Sequence, residues 1–263
     1  MLGGVRDLND HELAYYIAEG IGAIATGART GGLIEARDLA QVANRVAHDW
    51  VDQVLRVNRP NDAILSEDYA DDLVRLDSER VWILDVIDGT KEYATGRGDW
   101  AVHVALAAGG AIEAASVGMP DAQRVFRDDH CSYVDGPMSG KVVVSRNNPP
   151  AGIDEFAAAI DRTVRPMGSA GAKTISVLLG DADAYIHTGG HNEWDQAAPV
   201  GVAQRAGLHC SHLDGSPIVF NQADVWRKDF LVCRPEITDE VLAAAAQLPP
   251  QNYERRDPAG RPR

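Results

Sequence analysis

The chain has 263 residues, of which 45% are hydrophobic and 24% charged, an ordinary balance for a folded protein and far from a fibrous or disordered composition. A formal net charge of -14 argues against a nucleic-acid polymer as partner, because phosphate backbones are bound by surplus Lys and Arg. It leaves room for a small anionic substrate, since bound divalent cations invert the local field.

The opening segment MLGGVRDLNDHELAYYIAEG has neither a basic leader nor an unbroken apolar run, so a cytoplasmic protein with no membrane partner is expected. Leu13, Ile17, Ile21 and Ile24 recur at helical spacing, and Leu39, Val42, Val46, Trp50 and Val54 repeat the pattern, which predicts two long helices. The run Gly20-Ile21-Gly22-Ala23-Ile24-Ala25 formally matches a dinucleotide fingerprint, but it lies inside the first helical pattern instead of after a strand. Short apolar runs follow at 63–65 and 81–84, the second unbroken enough for a strand buried on both faces, and each ends in acid. The most apolar stretch, 101–119, contains His103, Gly109-Gly110 and Glu113, so two strands joined by a turn explain it better than a membrane span.

Lys141–Ser145 reads as a Val-rich strand closed by Asn147-Asn148-Pro149-Pro150, and a boundary between halves falls near residue 140. Beyond it the pattern alternates: helix over 154–162, helix over 171–179, strand over 184–187, and helix over 195–206 ending at Gly207. The fold class expected is α/β, with an α+β half over 1–140, an α/β half over 141–248 and a flexible tail over 249–263. Cys131, Cys210 and Cys233 are odd in number and widely spaced, fitting reduced thiols better than a zinc site or a disulfide framework.

The chemistry concentrates in Trp82-Ile83-Leu84-Asp85-Val86-Ile87-Asp88-Gly89-Thr90-Lys91-Glu92-Tyr93, where an apolar strand delivers two carboxylates and then a Gly-Thr turn. Carboxylates at the end of a buried strand suffer desolvation and mutual repulsion, so cations or donors are needed to keep them ionised. An all-oxygen site without a Cys/His set suits Mg²⁺, and backbone N–H groups after Gly89 could face a phosphate. A plain Asp-Gly turn with Asp85 as a strand-end cap is the competing reading, just as Asp195 alone reads as a helix cap and Glu67 as a loop acid.

Taken together, Ser66-Glu67-Asp68, the 82–90 segment and Glu193-Trp194-Asp195-Gln196-Ala197-Ala198 resemble, in order and spacing, the motifs of the inositol monophosphatase superfamily of Mg²⁺-dependent, lithium-sensitive phosphatases. The central segment is similar to that family's D-P-(I/L)-D-G-T. Lys91-Glu92-Tyr93, Ser145-Arg146, Gly168-Ser169-Ala170-Gly171-Ala172-Lys173 and Gly215-Ser216-Pro217-Ile218 with Asn221 resemble the CysQ-type 3'(2'),5'-bisphosphate nucleotidases within it.

The resemblance implies a layered αβαβα sandwich with two or three Mg²⁺ ions. Glu67, Asp85 and the Ile87 carbonyl would hold one ion, and Asp85, Asp88 and Asp195 a second. Gly89 and Thr90 would touch phosphate, while Ser169 and Lys173 would contact the nucleotide. Glu67 and Thr90 would position a metal-activated water for in-line attack.

Two departures stand out. Val86 replaces the family's central Pro, and Asn44 occupies the place of an early Asp that helps activate water through the motif's Thr. His48, one helical turn from Asn44, is a candidate to supplement that step. The implied substrate is 3'-phosphoadenosine 5'-phosphate, cleaved to AMP and phosphate in sulfate assimilation. The alternatives are an inositol monophosphatase, a fructose-1,6-bisphosphatase, or a catalytically silent metal- or nucleotide-binding protein. Oligomeric state stays open, with a homodimer among the options.

Overall fold

The computed structural model describes residues 7–251. Two helices open the chain, α1 (Asp10–Thr30) and α2 (Ala36–Asn58). Asn9 caps α1: its side chain accepts the Glu12 amide at 2.9 Å while the Glu12 carboxylate accepts the Asn9 amide at 3.0 Å. The glycines of the apparent dinucleotide motif serve packing. A Cβ on Gly20 would stand 2.2 Å from the Trp50 ring, and one on Gly22 would stand 3.1 Å from Pro120.

Five strands form the first sheet: β1 (Ala63–Ser66), β2 (Arg80–Asp88), β3 (Ala101–Ala108), β4 (Ala111–Met119) and β5 (Arg124–Arg127), paired in that order. β1 runs parallel to β2, and the remaining pairs are antiparallel. The apolar stretch 101–119 is thus a hairpin, turning at Gly109 and Gly110, both at positive φ. A short helix, α3 (Thr90–Ala94), leaves the tip of β2.

The second sheet is built from β6 (Lys141–Ser145), β7 (Thr163–Met167), β8 (Ala184–Asn192), β9 (His209–Ser211) and β10 (Trp226–Cys233), in the order β7-β6-β8-β10-β9. Its helices are α4 (Ile153–Ala159), α5 (Ala170–Leu178), α6 (Glu193–Arg205) and α7 (Thr238–Ala245). β7, β9, β10 and α7 have no counterpart among the sequence expectations, and β8 extends five residues past the predicted 184–187, to Asn192.

Three apolar clusters define five layers. α1 and α2 cover one face of the first sheet; α5 and α6 lie between the two sheets; α4 and α7 cover the far face of the second. α6 is buried on nearly all sides, which is why Val200, Val202 and Ala203 share its interior with Ala197 and Ala198 and no polar stripe marks it. The expected αβαβα layering is therefore present.

Of the expected tail, Pro249–Gln251 is fixed: the Gln251 side-chain oxygen accepts the Ala151 amide and the Thr188 hydroxyl, each at 2.9 Å. The remainder of the tail, 252–263, lies outside the described residues. No described helix is long and apolar enough to cross a membrane. The three cysteines are unpaired.

Candidate metal centre

Parallel pairing sets Ser66 beside Leu84, so Glu67, the first residue past β1, comes alongside Asp85, which is still paired with His103 of β3. Between Asp85 and Asp88 the β2–β3 register slips, a bulge that re-aims the strand tip. Val86 and Ile87 occupy that bulge and are almost wholly buried, so the position filled by Pro in the family motif is met here by an apolar residue in packed surroundings. Asp195 arrives from the first turn of α6, between the sheets.

Asp85, Asp88 and Asp195 each place a carboxylate oxygen within 4.8 Å of the others. In each of them one oxygen is already engaged. Asp85 Oδ1 accepts the Ile87 amide at 3.0 Å, and Asp195 Oδ2 accepts the Asn192 amide at 2.7 Å. Asp88 Oδ2 accepts the Ser169 hydroxyl and, at 3.0 Å, the Gly171 amide. Asp195 is thus both part of its helix cap and a member of the cluster.

Electrostatics separate the four acids. Burial, then the neighbouring Glu67, Asp88 and Asp195, pushes the Asp85 carboxyl well above the carboxylate range. Glu67 is raised to about 7 by burial and by Asp68 and Asp88, and Asp195 to about 7 by burial, Asp88 and Glu67. Asp88 goes the other way. Burial pushes it upward, but His103, Lys173 and the Ser169 hydroxyl more than offset this and hold it below the ordinary carboxylate range. Three acids held against ionisation around a fourth that stays charged form an all-oxygen donor set that hard divalent cations would relieve. The residues present fit a metal site.

The other expected site residues fall in different places. Gly89 sits at φ 88° at the start of α3, and a Cβ there would come within 3.3 Å of Ser169, so the turn needs glycine twice over. Thr90 is exposed, and its hydroxyl donates to the Ile87 carbonyl at 3.1 Å. Asn44 projects from α2, with its Oδ1 buried and without a hydrogen-bond partner.

His48, one turn along α2 from Asn44, is 2% exposed. Its Nε2 lies 3.0 Å from both Ser66 Oγ and Asp68 Oδ2, bracketing Glu67 from behind. Ser169 and Lys173, expected to meet substrate, are only 6% and 3% exposed. Lys173 Nζ donates to the carbonyls of Gly168 and Ser169 and lies 4.9 Å above the Tyr185 ring, while burial lowers its pKa to about 8 against the pull of Asp88. Ser169 thus meets Asp88, and Lys173 holds the turn that carries Ser169.

Several contributors had gone unassigned. His103, wholly buried in β3, directs Nδ1 at the Trp194 carbonyl at 3.1 Å and sets Nε2 3.2 Å from Asp88 Oδ2, though off the hydrogen-bonding direction. Its signal was a histidine inside an otherwise apolar strand. Glu193, buried under the late acidic motif, accepts the amides of Asn221 and Gln222 at 2.7 and 2.8 Å and pairs with Arg227. Arg75 joins that network to the segment following Glu67, donating to Asp71, to Asn221 Oδ1 at 2.6 Å and to the Gln222 carbonyl at 2.8 Å. At the end of β8, the His187 and His191 rings stack with centroids 3.4 Å apart, and burial keeps both well below the ordinary histidine range. A second acid group, His11 with Asp128 and Asp129, is neutralised by Arg205 and Arg127.

With the geometry in hand, comparison with known proteins is informative: the model of the inositol monophosphatase family matches residues 13–249. The chain belongs to the inositol monophosphatase family. Among curated relatives, the 3'-phosphoadenosine 5'-phosphate phosphatase of Mycobacterium leprae is 39% identical over 92% of this chain and 95% of its own. The protein of the same name from Mycobacterium tuberculosis is 42% identical over 79% of this chain and 82% of its own. Among solved structures, CysQ from Bacteroides thetaiotaomicron, described as a bacterial member of the inositol monophosphatase family, superposes with a TM-score of 0.73 at 20% identity, covering 86% of this chain and 97% of its own. The inositol monophosphatase fold thus carries the acidic cluster just described, at the junction of the first sheet with α5 and α6.

Proposed function

We propose that this member of the family is a Mg²⁺-dependent phosphatase that removes the 3'-phosphate of 3'-phosphoadenosine 5'-phosphate, giving AMP and phosphate. The observation that carries the reading is the convergence of Asp85, Asp88 and Asp195, with Glu67 near enough to repel them electrostatically, an arrangement that divalent cations would relieve. The substrate is carried by the mycobacterial relatives, whose names specify that compound.

Glu67, Asp85 and the Ile87 carbonyl would hold one ion, with Asp85 shared by a second held by Asp88 and Asp195. Bound there, the ions would neutralise phosphoryl oxygens, acidify water and stabilise the leaving alkoxide. The chain's own work is placement. The Gly89–Thr90 turn offers backbone N–H groups to the phosphate, the Thr90 hydroxyl and Glu67 orient the attacking water, and the fixed carboxylates keep their geometry through the reaction. Asn44 contributes an acceptor for a hydroxyl or water but cannot take a proton. A cytoplasmic setting and a small nucleotide as the partner complete the reading.

The test is phosphate release by the purified protein with and without Mg²⁺ from 3'-phosphoadenosine 5'-phosphate, inositol 1-phosphate and fructose 1,6-bisphosphate at matched concentrations. Preference for the nucleotide is the expected result. Preference for the inositol or sugar phosphate would keep the metal chemistry and replace the substrate. Binding of Mg²⁺ and nucleotide with no release from any compound would make the protein a silent binder, with Asn44 the first residue to restore to Asp.

A further inference from the structure

We propose that Ser169 is a positioning residue, whose hydroxyl, together with the Gly171 amide, locks the Asp88 carboxylate so that one oxygen stays turned to the metal site. This rests on the reading of Asp88 as a metal ligand.

Ser169 adopts φ 51° and ψ 136°, a backbone conformation that residues bearing a Cβ rarely take. Such an outlier persists only where its surroundings over-determine it. Here they do. Lys173 Nζ holds the carbonyls of Gly168 and Ser169, the Gly168 amide donates to Asp99 Oδ2 at 2.7 Å, and the same Asp99 is paired with Arg146. Across the gap, Gly89 has no side chain to obstruct the approach.

The result is one hydroxyl held between two partners. Ser169 Oγ accepts the Ala172 amide at 3.0 Å, which occupies a lone pair and leaves its proton for Asp88 Oδ2. The Gly171 amide, at 3.0 Å, supplies a second donor to the same oxygen. With Oδ2 doubly engaged, Oδ1 is the atom free to face a cation. Asp88 comes from the first sheet and Ser169 from the second half, so the clamp makes this carboxylate's orientation depend on α5 docking against the first sheet, which it meets at β3 and β4. A substrate-binding serine would need its hydroxyl turned outward, whereas this one is 6% exposed and used twice within the protein.

The experiment is calorimetric titration of Mg²⁺, without substrate, into wild type, Ser169→Gly and Ser169→Ala, paired with phosphate-release kinetics over a range of Mg²⁺ concentrations. Glycine suits both the positive φ and the helix cap, so Ser169→Gly removes the hydroxyl with the backbone preserved even where the alanine variant misfolds. The expected result is Mg²⁺ affinity weakened by about 10- to 100-fold, the range typical of lost outer-shell partners. Turnover should recover as Mg²⁺ is raised, and KM at saturating Mg²⁺ should stay unchanged. A raised KM with unaltered Mg²⁺ affinity would overturn the proposal and return Ser169 to the substrate side; unaltered Mg²⁺ affinity and unaltered kinetics would overturn it as well. Absence of Mg²⁺ binding by wild type would reject the metal reading itself, an outcome distinct from either.

Discussion

Asp88 and Glu67 belong to one acidic cluster, yet they are held by different means. Asp88 ends a strand buried on both faces, and a serine hydroxyl and a helix amide fix one of its oxygens. Glu67 follows a four-residue strand at the sheet edge, is half-buried, and among the described residues accepts no backbone amide. It is steadied indirectly: His48 grips Ser66 and Asp68 on either side, and Arg75 ties the chain beyond it to Asn221 and Gln222. One flank is rigid by local hydrogen bonding, the other by contacts a few residues away. The nearby His103, then Lys173, and after them the Ser169 hydroxyl hold Asp88 below the ordinary carboxylate range, whereas burial and the acids Asp68 and Asp88 raise Glu67, so the two acids differ in the sense of their pKa shifts.

The comparison can be broken most severely at Asp85, which both flanks share. Asp85→Asn should lower kcat/KM on the order of 10³-fold, about 4 kcal/mol of transition-state stabilisation. The metal-free variant should melt higher than wild type, because a repulsive buried carboxylate is gone; kinetics and a thermal melt in chelator read the two effects.

The next effect separates the raised acids from Asp88. Glu67 and Asp195 keep their protons in the folded protein to about pH 7, while the unfolded chain releases them near their ordinary values of 4.5 and 3.8. Their contribution to stability is therefore full below about pH 4 and is lost as pH rises to about 7. In the metal-free protein, the melting temperature of wild type should fall relative to that of Asp195→Asn across this window, and added Mg²⁺ should abolish the difference. Parallel pH curves for the two proteins would refute the assignment.

Smaller changes probe the indirect flank. Arg75→Gln removes charge-assisted bonds from a side chain that is 3% exposed and should cost about 1.5–3 kcal/mol of stability. Limited proteolysis should then cut between residues 69 and 77 before the rest of the fold, as a loosened Glu67 flank requires. The smallest effect is expected for His48→Ala, about 1 kcal/mol from the lost hydrogen bonding. Its pH–rate profile should match wild type, because the imidazole faces Ser66 and Asp68; a displaced profile would instead give His48 a part in proton transfer.

Much of the molecule was legible in the chain. The two opening helices, the hairpin turning at Gly109-Gly110 and the acid-tipped strand β2 follow from local periodicity, because each buries one face or both against a single neighbour. β10 escaped notice because its first four residues, Trp226-Arg227-Lys228-Asp229, interrupt the pattern; the apolar run from Phe230 to Cys233 was the available signal. α7 had a comparable clue in Val241 and the alanines near it, and β7 had none, since Arg165 and Pro166 face outward on a sheet edge. At the site, the motifs named Asp85, Asp88, Asp195 and Glu67, but could not tell that Ser169 bonds to Asp88 or that Lys173 holds the Gly168 and Ser169 carbonyls.

The sequence by itself determined which acids are candidates for the site and in what order they occur along the chain. Those choices are written in local patterns of apolar strand, acid and glycine turn. Tertiary structure alone decided which oxygen of Asp85, Asp88 and Asp195 is already occupied, that His48 meets Ser66 and Asp68, and that the late Glu193–Asn221 pair is tied to Arg75 near the first acidic motif. The physical reason is that hydrogen-bond partners and desolvation are set by groups brought together from distant segments, and no spacing along one segment records them.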